Sequence, residues 1–318
     1  MATFKTQVVS DRQDGAISLA VEELARGNLV AIPTETVYGL AADATELCAV
    51  QQIYTVKGRP SNNPLICHVA DIDMAKKYVA VSPLANRVMQ FFWPGPLTLV
   101  LPTRPGFAIA APVSAGLDTI AVRCPRSETA RQIIIELGRP IAAPSANPSG
   151  KLSPTSADDV LQGLGGKIPL IIDGGDTPVG IESTIVGIVD EKITLLRPGS
   201  VTADDITAAV QTPVFDRDSQ QITAPGQLES HYAPSSRVRL NATEQQAGEL
   251  LIGFGEVEGV LNLSPSSNLE EAAHNLFKFI RNADKRNPNC IAIAPIPNQG
   301  VGIAINDRLR RAAAPRNQ

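Results

Sequence analysis

The sequence predicts an α/β fold in two unequal parts: a twisted, mixed, open sheet with helices, followed by a smaller Rossmann-like αβα domain. Three observations carry this. Through the first two thirds of the chain, short apolar runs alternate with amphipathic stretches of helical period. Near the end of that region STIVGIV (183–189) and ITLLR (193–197) follow one another closely, as the arms of a hairpin do, so the sheet is not purely parallel. After a stretch rich in Pro, Gln, Asp and Ser at about 211–236, strand and helix patterns alternate again on a smaller scale. A chain of 318 residues also favours two domains. The parts expected are 10–200, a linker and lid segment at 201–236, and a C-terminal domain at 237–318.

The elements follow in order. Residues 14–27 read as a helix with Asp14 as N-cap, Ile17, Val21 and Leu24 on one face, and Gly27 as the stop. LVAIP (29–33) reads as a buried strand, and a helix over 45–56 ends at Lys57-Gly58-Arg59-Pro60. Further strands are LICHV (65–69), LTLVL (97–101), TIAVR (119–123), IAAP (141–144) and PLIID (169–173). SETARQIIIELG, from Ser127, is a capped helix, and TADDITAAV is a short one after Pro198-Gly199. In the second part RVRL, LLIGF, GVLNL and CIAIAPI read as strands. Helices are expected around 244–250, through EEAAHNLFKFIRNADK, and over 301–313.

Composition excludes several classes. With 43% hydrophobic residues the chain is not disordered, and with 4% aromatic residues it carries no row of base-stacking platforms. The net charge is −4, so an anion site must be a local concentration of Lys and Arg. The first residues lack the apolar stretch of a signal peptide, and no apolar run of ~18 residues predicts a membrane helix. The four cysteines, Cys48, Cys67, Cys124 and Cys290, form no CxxC pair. They are expected to be small buried hydrophobes in a reducing, cytoplasmic setting. Gly166-Lys167 is no phosphate loop, because Leu161 and Ile168 stand where Gly and Ser/Thr are required. Gly253-Phe254-Gly255 reads as a tight turn, and His68, His231 and His274 have no ligand spacing.

Three segments are unusual for scaffold. Pro33-Thr34-Glu35-Thr36-Val37-Tyr38-Gly39-Leu40 follows a buried strand, where open α/β sheets place ligands; a capped turn is the plainer alternative. Lys57-Gly58-Arg59-Pro60, continuing to Asn63-Pro64, is a stiff loop with a point charge and a planar fork, suited to polyphosphate. Cations complementing a helix C-terminus are the alternative there. Ala143-Pro144-Ser145-Ala146-Asn147-Pro148-Ser149-Gly150 offers hydroxyls, an amide and open backbone for phosphate or ribose, or is a serine-rich surface turn. Ser145 has no neighbouring base that would make it a nucleophile.

Taken together, PTETVYGL, the KGRP…NPL loop with His68 after it, APSANPSGKLSPT, DGG…GIESTIV and LRPG resemble the YrdC-type threonylcarbamoyl-AMP synthase family. HYAP (231–234) and the terminal GVGIAINDRLRRAA resemble its longer, two-domain branch. The resemblance implies a YrdC-like first domain. It also implies a nucleotidyltransferase reaction in which L-threonine, bicarbonate and ATP give L-threonylcarbamoyl-AMP and pyrophosphate, the first step of threonylcarbamoyladenosine formation in tRNA. Lys57, Arg59, Ser145 and Asn147 carry the family signature and are the implied catalytic residues. Arg59, Lys57, Asn63, Ser145, Ser153, Arg197 and Tyr232 are implied at ATP, and Thr36, His68, Thr119, Arg123 and Ser183 at L-threonine. Arg123, at a strand end, suits a carboxylate clamp, and Tyr232 is expected to close over the nucleotide from the linker. Mg2+ is expected mainly on the ATP phosphates, with no dedicated protein site. Downstream tRNA threonylcarbamoyl-transfer proteins are the implied partners, with a weak tRNA contact possible. Gln227 and Ser230 depart from the family's usual Met and basic residue, and Asp159 replaces a common His without expected chemical consequence. The alternative is a double-stranded RNA or tRNA-binding module without catalysis, whose affinity would fall steeply with salt.

Overall fold

The structure, a computed structural model, describes residues 4–106, 109–217 and 231–315. In the first half the chain forms β1 (Gln7–Ser10), α1 (Ala16–Ala25), β2 (Val30–Ile32), β3 (Gly39–Asp43), α2 (Leu47–Lys57), β4 (Ile66–His68), α3 (Ile72–Tyr78), α4 (Pro83–Phe92) and β5 (Leu97–Pro102). There follow α5 (Ala111–Ser114), β6 (Thr119–Arg123), α6 (Glu128–Leu137), β7 (Ile141–Ala142), α7 (Ala157–Leu164), β8 (Leu170–Asp173), β9 (Thr184–Val189), β10 (Lys192–Arg197), α8 (Ala203–Val210) and β11 (Val214–Asp216). These strands make an 11-stranded sheet in the order β1-β8-β2-β3-β7-β4-β6-β5-β9-β10-β11. It is mixed, as expected: β4 and β6 are parallel, while β2–β3 and β9–β10 are antiparallel.

Period-2 alternation explains how both faces are covered. Val30, Ile32, Leu170 and Ile172 point to one side, into a cluster with Leu24 of α1 and Ile133 of α6. Ala31 and Ile171 point to the other, with Ile53 of α2, Met89 of α4 and Ile206 of α8. Side-chain caps fix several helix starts: Ser127 accepts from the Ala130 amide, and Thr202 and Asp205 bond reciprocally at α8. Asp14 is not the cap it was expected to be. Helix α1 opens behind Gly15, at φ 82°, with no side-chain cap bond.

Three strands went unread in the sequence: β1, β3 and β11, the last within the stretch expected as linker. β1 lies within an N-terminal stretch of polar texture, and β3, GLAAD, has small residues with no alternation because it is buried along its length. β3 turns the segment after β2 into the loop of a hairpin. β11, within the stretch expected as linker and lid, joins the large sheet through the parallel β10–β11 pair, and Ile206 of α8 packs into the core of that sheet. Gln227 and Ser230 lie outside the described residues.

The C-terminal part has β12 (Arg237–Arg239), β13 (Glu249–Gly253), β14 (Leu261–Asn262), α9 (Leu269–Asp284), β15 (Cys290–Ile293) and α10 (Gly302–Ala313). Its sheet, in the order β12-β15-β13-β14, is parallel throughout. The helix expected at 244–250 is absent: turns lead directly into β13. There the Arg239 side chain takes the Glu244 carbonyl and the Glu249 carboxylate takes the Gln246 amide, so side chains satisfy backbone groups that a helix would have paired. Among the described residues no helix is long and apolar enough to cross a membrane. Cys67 and Cys124 are buried as expected, but Cys48 is exposed and Cys290 half-buried.

The two parts share one apolar seam. Val37, Leu152 and Ile181 of the large domain cluster with Tyr232, Phe277 and Ile305. Gly180, at φ 78°, lets the backbones approach closely, because a Cβ there would lie 2.5 Å from His274. His274, which has no ligand spacing in the sequence, hydrogen-bonds the Pro178 carbonyl across this seam at 3.1 Å.

Candidate active site

The site is built from loops stapled to the middle of the large sheet. In the 33–38 hairpin loop the Thr34 hydroxyl accepts from the amides of Thr36 and Val37, the local turn that the sequence allowed. The same bonds hold Glu35 and Thr36 inward, where both are buried. Arg123, at the end of β6, meets them: Nη2 lies 2.8 Å from Glu35 Oε1, Nη1 donates to Thr36 Oγ1 at 3.0 Å, and Nε donates to the Gly95 carbonyl at 3.2 Å. A guanidinium has five N–H donors, so donors remain for a ligand. Burial alone would push the Glu35 carboxyl up, but Arg123 and a backbone amide outweigh it and hold it below its ordinary value. His68, paired with Arg123 in register, is pushed down to about 3 by burial and by that cation, so its ring is neutral at pH 7.

The cationic loop is not solvated. Gly58 ends α2 in the left-handed conformation, at φ 62°. This turn sends Lys57 Nζ to the carbonyls of Ser145, at 2.6 Å, and Asn147. Arg59 donates to the Asn63 carbonyl at 3.1 Å, the Asn63 side chain at 2.7 Å and the Pro64 carbonyl at 2.7 Å. Burial, reinforced by Arg59, carries the Lys57 ammonium well below its usual value, and burial lowers Arg59 to about 10. The 143–150 turn is stapled in return: its Ser149 amide donates to the Lys57 carbonyl, its Ala146 amide donates to the Tyr38 carbonyl, and its Pro144 carbonyl accepts from the Leu40 amide of β3. Lysine, arginine and turn therefore form one hydrogen-bonded unit.

These parts surround one cavity. Thr36, His68, Arg123 and Ser183 line it, as do Arg59, Ser145, Arg197 and Tyr232. Electrostatic neighbours sort them into two groups: Arg123 and His68 with Glu35, Thr36 joining through its bond to Arg123, and Arg197 and Tyr232 with Glu182, Arg59 lying beside Arg197 and Tyr232. Arg197 donates to the carbonyl and hydroxyl of Ser183, at 2.8 and 3.1 Å. Lys57, Asn63, Asn147 and Ser153 stand immediately behind the lining and hold it. Ser153 Oγ, for example, donates to Glu182. Thr119 is not brought in. It begins β6, four positions from Arg123 at the other end, roughly 13 Å at strand spacing.

Two lining residues, Glu182 and His231, were visible only as letters within GIESTIV and HYAP and received no role from the sequence. Asp159 was read as inconsequential; it makes a 2.8 Å ion pair with Arg281 of α9 and caps the Thr155 amide. No signal short of three-dimensional pairing marks either partner, since they are 122 positions apart.

Residues 22–199 match the family profile described as telomere recombination, which covers Sua5, YciO and YrdC proteins. Residues 201–314 match the threonylcarbamoyl-AMP synthase C-terminal domain. The chain belongs to the Sua5/YciO/YrdC family. It is 39% identical over 327 aligned positions to the threonylcarbamoyl-AMP synthase of Bacillus subtilis, covering 95% of this chain and 94% of that one. It is 38% identical to the protein of the same name from Pyrococcus abyssi, covering 95% of each. The crystal structure of P. abyssi Sua5 complexed with L-threonine superposes with a TM-score of 0.87 at 37% identity, over 96% of both chains. E. coli YciO shares the fold of the large domain alone, with a TM-score of 0.54 at 22% identity over 62% of this chain.

Proposed function

We propose that the protein is a threonylcarbamoyl-AMP synthase, a nucleotidyltransferase that joins L-threonine, bicarbonate and MgATP and releases pyrophosphate and water. The observation that carries this reading is one cavity with two cationic groups of different geometry. Arg123, braced by Glu35 and Thr36, offers a fork to a carboxylate. Arg59 and Arg197, with the Ser145 turn, offer charge and hydrogen bonds to a phosphate chain. Family membership and the threonine complex of the P. abyssi protein support the same assignment.

In this reading the threonine amine, deprotonated, attacks bicarbonate or CO2 and gives a carbamate. A carbamate oxygen then attacks the α-phosphorus, the bond to the β-phosphate oxygen breaks, and the pyrophosphate leaves with the electron pair. Arg123 and Thr36 hold the amino acid, and neutral His68 presents a ring nitrogen beside it. Arg59 and Arg197 stabilise the charge growing on pyrophosphate, while Lys57 holds the turn that meets the nucleotide. No covalent enzyme intermediate is needed. Among the described residues no group of three or more His, Cys, Asp or Glu side chains is placed to hold a metal ion. The two cavity-side carboxylates, Glu35 and Glu182, face Arg123 and Arg308. In this reading Mg2+ enters as part of the nucleotide substrate. The adenylate would be consumed in the cytoplasm by proteins that transfer its threonylcarbamoyl group to adenosine in tRNA. Exchange of labelled pyrophosphate into ATP tests the reading: it should require both threonine and bicarbonate, and exchange indifferent to threonine would overturn it.

A further inference from the structure

The charge at the phosphate end of the cavity is not set by the large domain alone. Glu182 lines the cavity and is buried, an unsuitable neighbour for a polyphosphate if its charge stood uncompensated. One oxygen accepts from Ser153 Oγ, and the other lies 3.1 Å from Nε of Arg308. Arg308 belongs to α10 of the C-terminal domain and is 1% exposed. Its Nη1 donates to the Pro198 carbonyl at 2.6 Å and to Asp307 at 3.1 Å, and its guanidinium carbon lies 5.8 Å from the centre of the Tyr232 ring. One side chain thus ties together Glu182-Ser183, Arg197-Pro198 and the aromatic wall.

We infer that Arg308 is a positioning residue of the nucleotide site: it reaches from the C-terminal domain to cancel the charge of Glu182 and fix the wall that Arg197 and Tyr232 present to the phosphates. This rests on the nucleotide reading of the cavity given above. The C-terminal domain then completes the site electrostatically, with no contact between Arg308 and substrate required. A scaffold role would make any well-packed side chain at 308 equivalent once the domain is folded. A charge role would make the effect depend on Glu182.

The test is calorimetric titration of ATP, and separately of threonine, into the full-length protein and its variants, with folding checked by circular dichroism. Arg308→Met should weaken ATP binding by about tenfold or more, because it exposes a buried carboxylate to the phosphates, and leave threonine affinity within about twofold. Arg308→Met combined with Glu182→Gln should recover most of the loss, and Arg308→Lys should keep most of the affinity. Should Arg308→Met not fold, Glu182→Gln alone still decides: with Arg308 in place it should bind ATP at least as tightly as wild type. The inference is overturned if Arg308→Met binds ATP like wild type, if the double variant stays as weak as the single one, or if Glu182→Gln loses affinity. Wild-type protein that takes up no ATP would instead bring down the functional reading, and this inference with it.

Discussion

Arg123 and Glu35 face each other across 2.8 Å inside the cavity wall, with side chains 4% and 6% exposed. Removing one member of such a pair strands the other. Arg123→Ala should cost about 3–5 kcal/mol of stability, whereas Arg123→Ala with Glu35→Ala should recover much of it. Threonine binding should be lost in both, and ATP binding should change little. Urea denaturation alongside threonine titration separates the two effects; a double variant that regained threonine affinity would remove Arg123 from the amino-acid pocket.

Lys57 and Arg59 are anchored on carbonyls of the turn and loop that they shape, so each acts on geometry and charge together. Lys57→Ala and Arg59→Ala should each lower kcat/KM for ATP by on the order of 10²-fold or more, with the fold retained. Steady-state pyrophosphate release checks this. Wild-type rates in a folded double variant would contradict the phosphate assignment.

Stability should respond to mild acid. Burial pushes His68 and His231 down to about 3, so the folded protein keeps both rings neutral where an unfolded chain protonates them near 6.5. Between these values the unfolded state binds more protons, and stability falls as pH drops, by about 1.4 kcal/mol per pH unit per histidine. Glu35 and Glu182, held below their ordinary value, begin to add to the loss only under about pH 4.5. Denaturation midpoints from pH 7 to 5 should fall, with a shallower slope in His68→Gln; a flat profile would mean that the rings are hydrated in the folded state.

The Arg281–Asp159 pair joins the domains at 2.8 Å, and Arg281 also donates to the Leu152 and Ser153 carbonyls. Arg281→Ala removes all three links. It should cost roughly 1–3 kcal/mol and split a single calorimetric transition into two. A single transition at the wild-type temperature would show that the apolar seam suffices alone.

The sequence made legible whatever repeats locally. Alternation in LTLVL and TIAVR marked strands, Ser127 and Thr202 marked helix starts, and the spacing of PTETVYGL, KGRP and APSANPSG marked the loops that meet at the cavity. What it concealed depends on partners distant along the chain. GLAAD lacks a period because both of its faces are covered, and Glu244–Gln246 has helical letters whose backbone is claimed by Arg239 and Glu249. Glu182 and Arg308 are 126 positions apart and meet only when the domains dock. Thr119, which the resemblance places at the amino acid, begins β6, at the opposite end of that strand from Arg123.

The central claim is that threonine and ATP meet in one cavity and are joined there through a carbon taken from bicarbonate. Mass spectrometry of the products formed by the full-length protein from ATP, threonine and 13C-bicarbonate tests it most directly. The expected product is a threonylcarbamoyl-adenylate carrying one heavy carbon, formed only when all three substrates are present. ATP consumed without any such adenylate, or an adenylate free of label, would contradict it.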